Sequence, residues 1–199
     1  MLAGMPRPRA RLDHAAIAAA FAPDGLHGVN AAEVARRAGI AKPTLYAHGR
    51  SKEAVFLACV EAEAERLLAE LYDADLRTRD LGVAARSSAL GRAVMEHAAA
   101  HPDGARLLHA TARHSSSSVA EAVDATLARI PGRIAEALRR DLQEDRAETA
   151  ATALYGAAVA LALAPQPDPG AAAGLLGQAL AAIAERPDRE DAVTGIGFY

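Results

Sequence analysis

The stretch Asn30-Ala31-Ala32-Glu33-Val34-Ala35-Arg36-Arg37-Ala38-Gly39-Ile40-Ala41-Lys42-Pro43-Thr44-Leu45-Tyr46 decides the fold. Asn30 offers a side-chain oxygen to the unpaired backbone N–H groups of a helix start, and Glu33, three residues on, supplies the other half of a capping box. The short helix opened there turns Val34, Ala35 and Ala38 inward. Gly39 closes it, because only glycine enters the left-handed region without a steric cost. After Gly39-Ile40-Ala41 a second short helix begins near Lys42 and runs to about Ala47. Pro43 sits in its first turn, where a missing N–H has no bond to lose. Two helices of under ~10 residues joined by a tight glycine turn form a helix-turn-helix unit, whose second helix enters the DNA major groove.

Such short helices are not stable alone and need a third behind them. Upstream, Leu12, Ala16, Ile17, Ala20 and Phe21 fall on one helical face, ended by Pro23-Asp24-Gly25. Ile17, Phe21, Val34, Ile40 and Leu45 then make a three-helix core. Downstream, Ser51 caps a longer helix whose stripe of Val55, Phe56, Cys59, Val60, Leu67, Leu68 and Leu71 lasts about 20 residues, long enough to join two domains. Further helices are expected over 81–100, stopping at His101-Pro102, and from 103 to about 114, before a serine loop at 115–118. Another covers 119–141, with Pro131 kinking or splitting it. From 149 to 164 no residue is charged, so this helix is expected to be covered on more than one side. Asp168-Pro169 opens a last helix carrying Leu175, Leu176, Ala179, Leu180 and Ile183 to Pro187. More apolar surface than one small bundle can hide suggests a four-helix bundle between two subunits. Its expected contacts are Leu154, Ala157, Leu161, Leu176, Leu180 and Ile183.

The whole chain agrees with this local reading. It has 199 residues, 51% hydrophobic and 4% aromatic with no Trp, and Ala is its commonest residue, a composition that favours helices over strands. The expected class is all-α, with a helix-turn-helix domain at 12–52, a helical dimerisation domain at 53–186, to which the resemblance given below adds effector binding, a basic arm at 1–11 and a frayed tail at 187–199. One Cys excludes an intrachain disulfide framework. Pro6 and Pro8 stand where a secretory signal needs an apolar run, and no stretch reaches the ~20 apolar residues of a membrane span. A cytoplasmic protein without membrane partners is expected. The net charge of −3 conceals an asymmetry: residues 1–52 hold eight Lys or Arg against three acids, +5, which leaves −8 for the rest. A basic N-terminal quarter on an acidic body is the footprint of a local phosphate-binding surface, or else a solvated basic face.

The segment from Leu12 to about Val60 resembles the TetR family of bacterial transcriptional regulators. The resemblance rests on Phe21, Gly25 and Leu26, on Asn30, on Val34-Ala35, on Ala38-Gly39-Ile40-Ala41, on Lys42-Pro43-Thr44-Leu45-Tyr46-Ala47-His48 and on Ser51-Lys52-Glu53. It implies that Tyr46, His48 and Lys52 contact backbone phosphates, while Lys42, Pro43 and Thr44 lie near base edges. Asn30 completes the expected DNA-binding set together with Arg11, which with Arg9 and Arg7 would reach an adjacent minor groove. Gly49 stands where the family carries Phe and is expected to remove an apolar anchor. Ala41 replaces the usual hydroxyl cap, at a cost of roughly 1 kcal/mol.

His97 and His101 are four apart with Glu96 beside them and His109 and His114 downstream, yet no third ligand is evident from sequence, so no metal is expected. Met95, Leu107, His109, Arg113 and Tyr155 are candidate lining for an effector pocket, with Tyr155 read as a buried phenol bonded to backbone. Cys59 reads as an inert packed thiol. No nucleophile elbow, P-loop or paired-carboxylate pattern is present, so neither catalysis nor a cofactor is expected. The resulting reading is a homodimeric repressor that binds a palindromic double-stranded operator and is released by a small apolar molecule. The alternative is an all-α enzyme or binding protein whose basic N-terminus is incidental.

Overall fold

The computed structural model describes residues 13–47, 49–111, 117–164 and 169–184, and every regular element among them is a helix. The expected arm at 1–11, which holds Arg11, the tail at 187–199, and His48 and Arg113 lie outside the described residues. No helix among the described residues is long and apolar enough to cross a membrane.

Helix α1 (His14–Phe21) is opened by Asp13, whose carboxylate accepts from the N–H groups of Ala15 and Ala16 at 3.0 and 3.2 Å. It buries Ile17, Ala18, Ala20 and Phe21. The chain then makes a one-turn helix, α2 (Gly25–Gly28), where sequence suggested only a turn, and this turn buries Leu26. Helix α3 (Ala31–Arg37) is capped by Asn30, which accepts from Ala32 and Glu33 N–H at 3.0 Å each. The expected capping box is half made. The Glu33 carboxylate pairs with Arg36 and Arg37 instead, because charged guanidinium donors one turn on make stronger bonds than a neutral backbone N–H.

The exit from α3 is a Schellman motif. Ile40 N–H donates to Ala35 O at 2.9 Å and Gly39 N–H to Arg36 O at 3.2 Å, with Gly39 at φ +67°. Helix α4 (Lys42–Tyr46) follows, with no side-chain cap at Ala41 and Pro43 in its first turn. Ser51 Oγ accepts from Ala54 N–H at 3.1 Å and opens α5 (Lys52–Arg77), at 26 residues longer than the apolar stripe alone indicated.

The body comprises α6 (Val83–Ala100), α7 (Pro102–Arg106), a π-helical turn at Leu107–Thr111, α8 (Ser117–Leu138), α9 (Glu144–Ala162) and α10 (Pro169–Ala184). Three expectations need correcting. The helix from 103 to about 114 is the short α7 followed by the π turn. Ser117 and Ser118, placed in a loop, belong to the first turn of α8. Pro131 does not split α8, whose apolar face of Val123, Ile130, Ile134 and Leu138 stays buried on both sides of it.

Two apolar cores result. The first joins Ile17, Phe21, Leu26, Val34 and Leu45 to Val55, Phe56, Cys59 and Val60 of α5, with Phe21 and Phe56 edge to face at 5.3 Å. It continues into Leu107 and Leu108 of the π turn and Val119 and Val123 of α8, so the N-terminal head is packed onto the body through apolar contact. The second core lies between α5, α6, α8, α9 and α10. At the far end of α5, Asp75 is 1% exposed and lies among three arginines: Arg133 and Arg140 at 2.6 Å, and Arg86 at 3.8 Å. Arg86, also buried, reaches Asp141 and donates to the carbonyls of Thr78, Arg79 and Leu81, so it closes the C-terminus of α5.

Helix α9 begins at Glu144, five residues before the uncharged stretch, and that stretch is not covered all round within one chain. Thr149, Thr152, Ala153, Gly156 and Ala160 form an exposed strip. Leu154, expected at an interface, turns the other way into the chain's own core, and both Leu154 and Leu176 pack toward Gly91 of α6. Of the other expected interface residues, Leu161 is exposed and Ala157 half-buried, while the side chains of Leu180 and Ile183 lie outside the described set.

Candidate nucleic-acid interface and effector pocket

Helix α4 is held to the head by one side chain, Leu45, which is fully buried. Its other residues therefore face out: Lys42, Pro43 and Tyr46 are exposed and Thr44 is half-buried. Exposed Asn30 stands across a shallow groove from Tyr46, and Arg50, Ser51, Lys52 and Glu53 complete a cavity of about 550 Å³. Arg50 contributes to the basic N-terminal quarter and has no motif position of its own. It is exposed and makes no ion pair among the described residues, as is also true of Lys42.

Three of the eight basic residues are used within the fold. Arg36 and Arg37 are bound to Glu33, and Arg37 also bonds Asp24 at 2.6 Å. These two guanidiniums hold the Glu33 carboxyl down at about 2. Lys52 is half-buried, and its ammonium donates to the carbonyls of Leu26 and Val29 at 2.6 and 2.8 Å. Its first role is to tie the start of α5 to the C-terminus of α2, which leaves one N–H for a phosphate. Sequence could not show this, because α2 itself was not foreseen.

Gly49 corrects another expectation. A Cβ there would come within 2.8 Å of Val55 Cγ2 and 2.9 Å of Val55 N. The space a Phe would fill is occupied by α5 itself, so the segment after α4 lies directly on the long helix and needs no side-chain anchor.

The expected effector-pocket residues do not share one cavity. Met95 belongs to the body core and Leu107 to the head core. His109 and Tyr155 do meet, ring centroids 5.6 Å apart, with the phenol oxygen 3.4 Å from His109 Nε2. The partner of Tyr155 is thus a side chain, not backbone, and burial pushes its phenol above the ordinary tyrosine value. Beside them Leu67, Val94, Ala105, Val159 and Ala162 line an apolar cavity of about 10 Å³, room for roughly one water. Cys59 is buried, and desolvation with the nearby Glu63 charge pushes its thiol up to about 12.

A third ligand does converge on the histidine pair. One ligating atom from each of Glu70, His97 and His101 lies within 4.8 Å of the others. His97 Nδ1 is 2.9 Å from Glu70 Oε2, and its Nε2 is 3.1 Å from Glu63 Oε1. Burial raises the Glu63 carboxyl, but His97 and Arg66 together outweigh it and the net shift is downward.

The chain thus has a helix-turn-helix head with its second helix exposed, packed on a helical body. Residues 15–59 match the sequence profile of the bacterial regulatory proteins of the tetR family, so the chain carries that family's DNA-binding domain. Comparison with curated proteins finds no match. Among solved structures, a TetR-like transcriptional regulator from Rhodococcus sp. RHA1 is 24% identical with a TM-score of 0.72, covering 92% of this chain and all of its own. The transcriptional regulator FadR from Bacillus subtilis, in complex with stearoyl-CoA, is 13% identical with a TM-score of 0.72, covering 84% of this chain and 95% of its own. AibR, in complex with isovaleryl coenzyme A and operator DNA, is 18% identical with a TM-score of 0.65, covering 86% and 97%. At these identities the likeness is one of fold, and it spans head and body alike.

Proposed function

We propose that this protein is a homodimeric repressor that binds a palindromic operator and is released by a small apolar molecule entering the body. The observation that carries this is the Schellman exit at Gly39, which sets α4 with Leu45 inward and Lys42, Pro43, Thr44 and Tyr46 outward. Lys42 and Arg50 supply the phosphate charge, joined by the third N–H of Lys52. Thr44 and Pro43 lie at the leading end of the helix, where base edges are read. As a DNA-binding regulator the protein works in the cytoplasm.

Two heads on one palindrome require a two-fold axis. The uncharged strip of α9, with the exposed Ala171, Leu175, Ala179 and Ala182 of α10, is the surface we assign to it. The effector enters near His109 and Tyr155. The cavity there is nearly filled, so ligand must open it, and the opened state must bind ligand better than the DNA-bound one does. The head shares its core with the π turn that carries His109, so expansion of the cavity displaces apolar contacts of the head. The acyl chain of an acyl-CoA thioester is the first apolar group to try, its charged coenzyme remaining at the surface, since FadR and AibR are seen in complex with stearoyl-CoA and isovaleryl coenzyme A.

Selection of bound DNA from a random pool tests the reading, with enrichment of a palindrome expected. Against that site, Lys42→Ala and Tyr46→Ala should each weaken binding about tenfold or more while helicity is kept, and affinity should fall steeply with salt. Unchanged affinity in both variants removes α4 as the recognition surface.

A further inference from the structure

Glu70, His97 and His101 converge at a point that takes no part in the nucleic-acid interface, although His97 also borders the small cavity beside His109. His101 stands one helical turn after His97, at the corner between α6 and α7, with the two rings 5.1 Å apart and tilted by 57°. Glu70 comes from α5, on the facing helix. All three offer donors suited to a borderline divalent ion, two imidazoles and a carboxylate. His97 is 3% exposed, and its ring is backed by the carboxylate of Glu63, itself buried and bonded to Arg66. Glu63 Oε1 and His97 Nε2 face each other at 3.1 Å, but neither has an aligned hydrogen-bond partner. The aligned bond is from His97 Nδ1 to the Glu70 carboxylate, so an ion entering here would displace the Nδ1 proton, and Glu63 stands where it can accept from Nε2, as carboxylates do behind metal-bound histidines.

Access is present as well. A solvent-open cavity of about 220 Å³ leads to His97, and its wall carries Glu70, Asp73 and Glu96 against a single cation, Arg77. The three ligating atoms must draw in from within 4.8 Å to the about 3.3 Å separations of a tetrahedral site. Glu70 and His101 are both half-exposed, and Glu70 already reaches His97 at 2.9 Å.

We propose that Glu70, His97 Nδ1 and His101 form a binding site for a divalent transition ion of the zinc type, with Glu63 as the positioning residue behind His97. The site leaves a coordination position open toward the cavity. A bound ion would bridge α5, the helix that carries the head, to α6. If the cluster were an ion pair alone, with His97 held between two carboxylates, His101 would contribute nothing to it.

Calorimetric titration of metal-stripped full-length protein with Zn²⁺ tests the site, with Co²⁺ absorption as the second readout. One ion per chain is expected, with a rise in unfolding temperature. His101→Ala and Glu70→Gln should each weaken binding by roughly tenfold or more, while His27→Ala, at an exposed position of α2, leaves it unchanged. Both decisive substitutions are at half-exposed positions, so they leave the fold intact even if His97→Ala does not. No binding to the unaltered protein, or equal affinity in both variants, overturns the proposal. Neither readout involves DNA, so this result stands apart from the test of the regulator reading.

Discussion

At the scale of single residues, Gly39 and Cys59 show how a position is fixed by backbone or by solvent. A Cβ at Gly39 would meet nothing within 4 Å, so Gly39→Ala is opposed only by its φ of +67°. The left-handed conformation costs an L-residue about 1–2 kcal/mol, and that loss is expected in urea unfolding, with Gly39→Asn falling between the two. An unchanged midpoint would mean that the turn relaxes. Cys59 shows the effect of burial. With its thiol pushed up to about 12, roughly one in ten thousand molecules is ionised at pH 8. Iodoacetamide should leave the native protein unlabelled and modify Cys59 fully in denaturant. Rapid labelling of the native state would contradict the packing of α5 against the head. Both residues were legible in sequence, because a glycine after a helical stretch and a cysteine on an apolar stripe are local signals. Lys52 was not, because its partners, the carbonyls of Leu26 and Val29, are created by a helical turn that four residues barely announce.

At the scale of elements, the long helix α5 is what makes one molecule of head and body. Its first half completes the head core and its second half the body core, and its C-terminus is closed by a buried charge cluster. Asp75→Ala would leave the buried Arg86 with Asp141 as its one carboxylate and remove the carboxylate that Arg133 and Arg140 bind at 2.6 Å, and breaking a buried pair typically costs about 3–5 kcal/mol. A fall of that size in unfolding free energy is expected, and a loss below about 1 kcal/mol would show that Asp141 alone suffices for Arg86. The helix was legible from Ser51 and its apolar stripe. The cluster was not, since Asp75, Arg86, Arg133 and Arg140 are far apart in the chain and read individually as solvated charges. The same holds for Glu70, two turns after Glu63, whose meeting with His97 requires α5 and α6 to be in register.

At the scale of the whole molecule, the uncovered strip on α9 and α10 is the largest departure from what a self-contained domain shows. Leu175 is 67% exposed with only small and uncharged neighbours on its face. Leu175→Glu is expected to convert a dimer to a monomer in sedimentation velocity with helicity unchanged, because the side chain supports nothing in its own protomer. If the unaltered protein sediments as a monomer at micromolar concentration, the strip is not a dimer surface and two-fold operator binding fails with it. The apolar contact between head and body places Leu107 and Leu108 of the π turn in the same core as Leu45 of α4.

The sequence by itself determined the helical class, the order and approximate ends of most helices, and the two-helix unit that carries Lys42 to Tyr46. These follow from periodicity, caps and a glycine turn, which are decided within a few residues. Only the tertiary structure decided which way Leu154 faces, which cations are paired internally and which carboxylate joins His97 and His101. Those outcomes depend on the rotation of one helix against another, and a rotation by one residue, about 100°, moves a side chain from core to surface without changing any local signal.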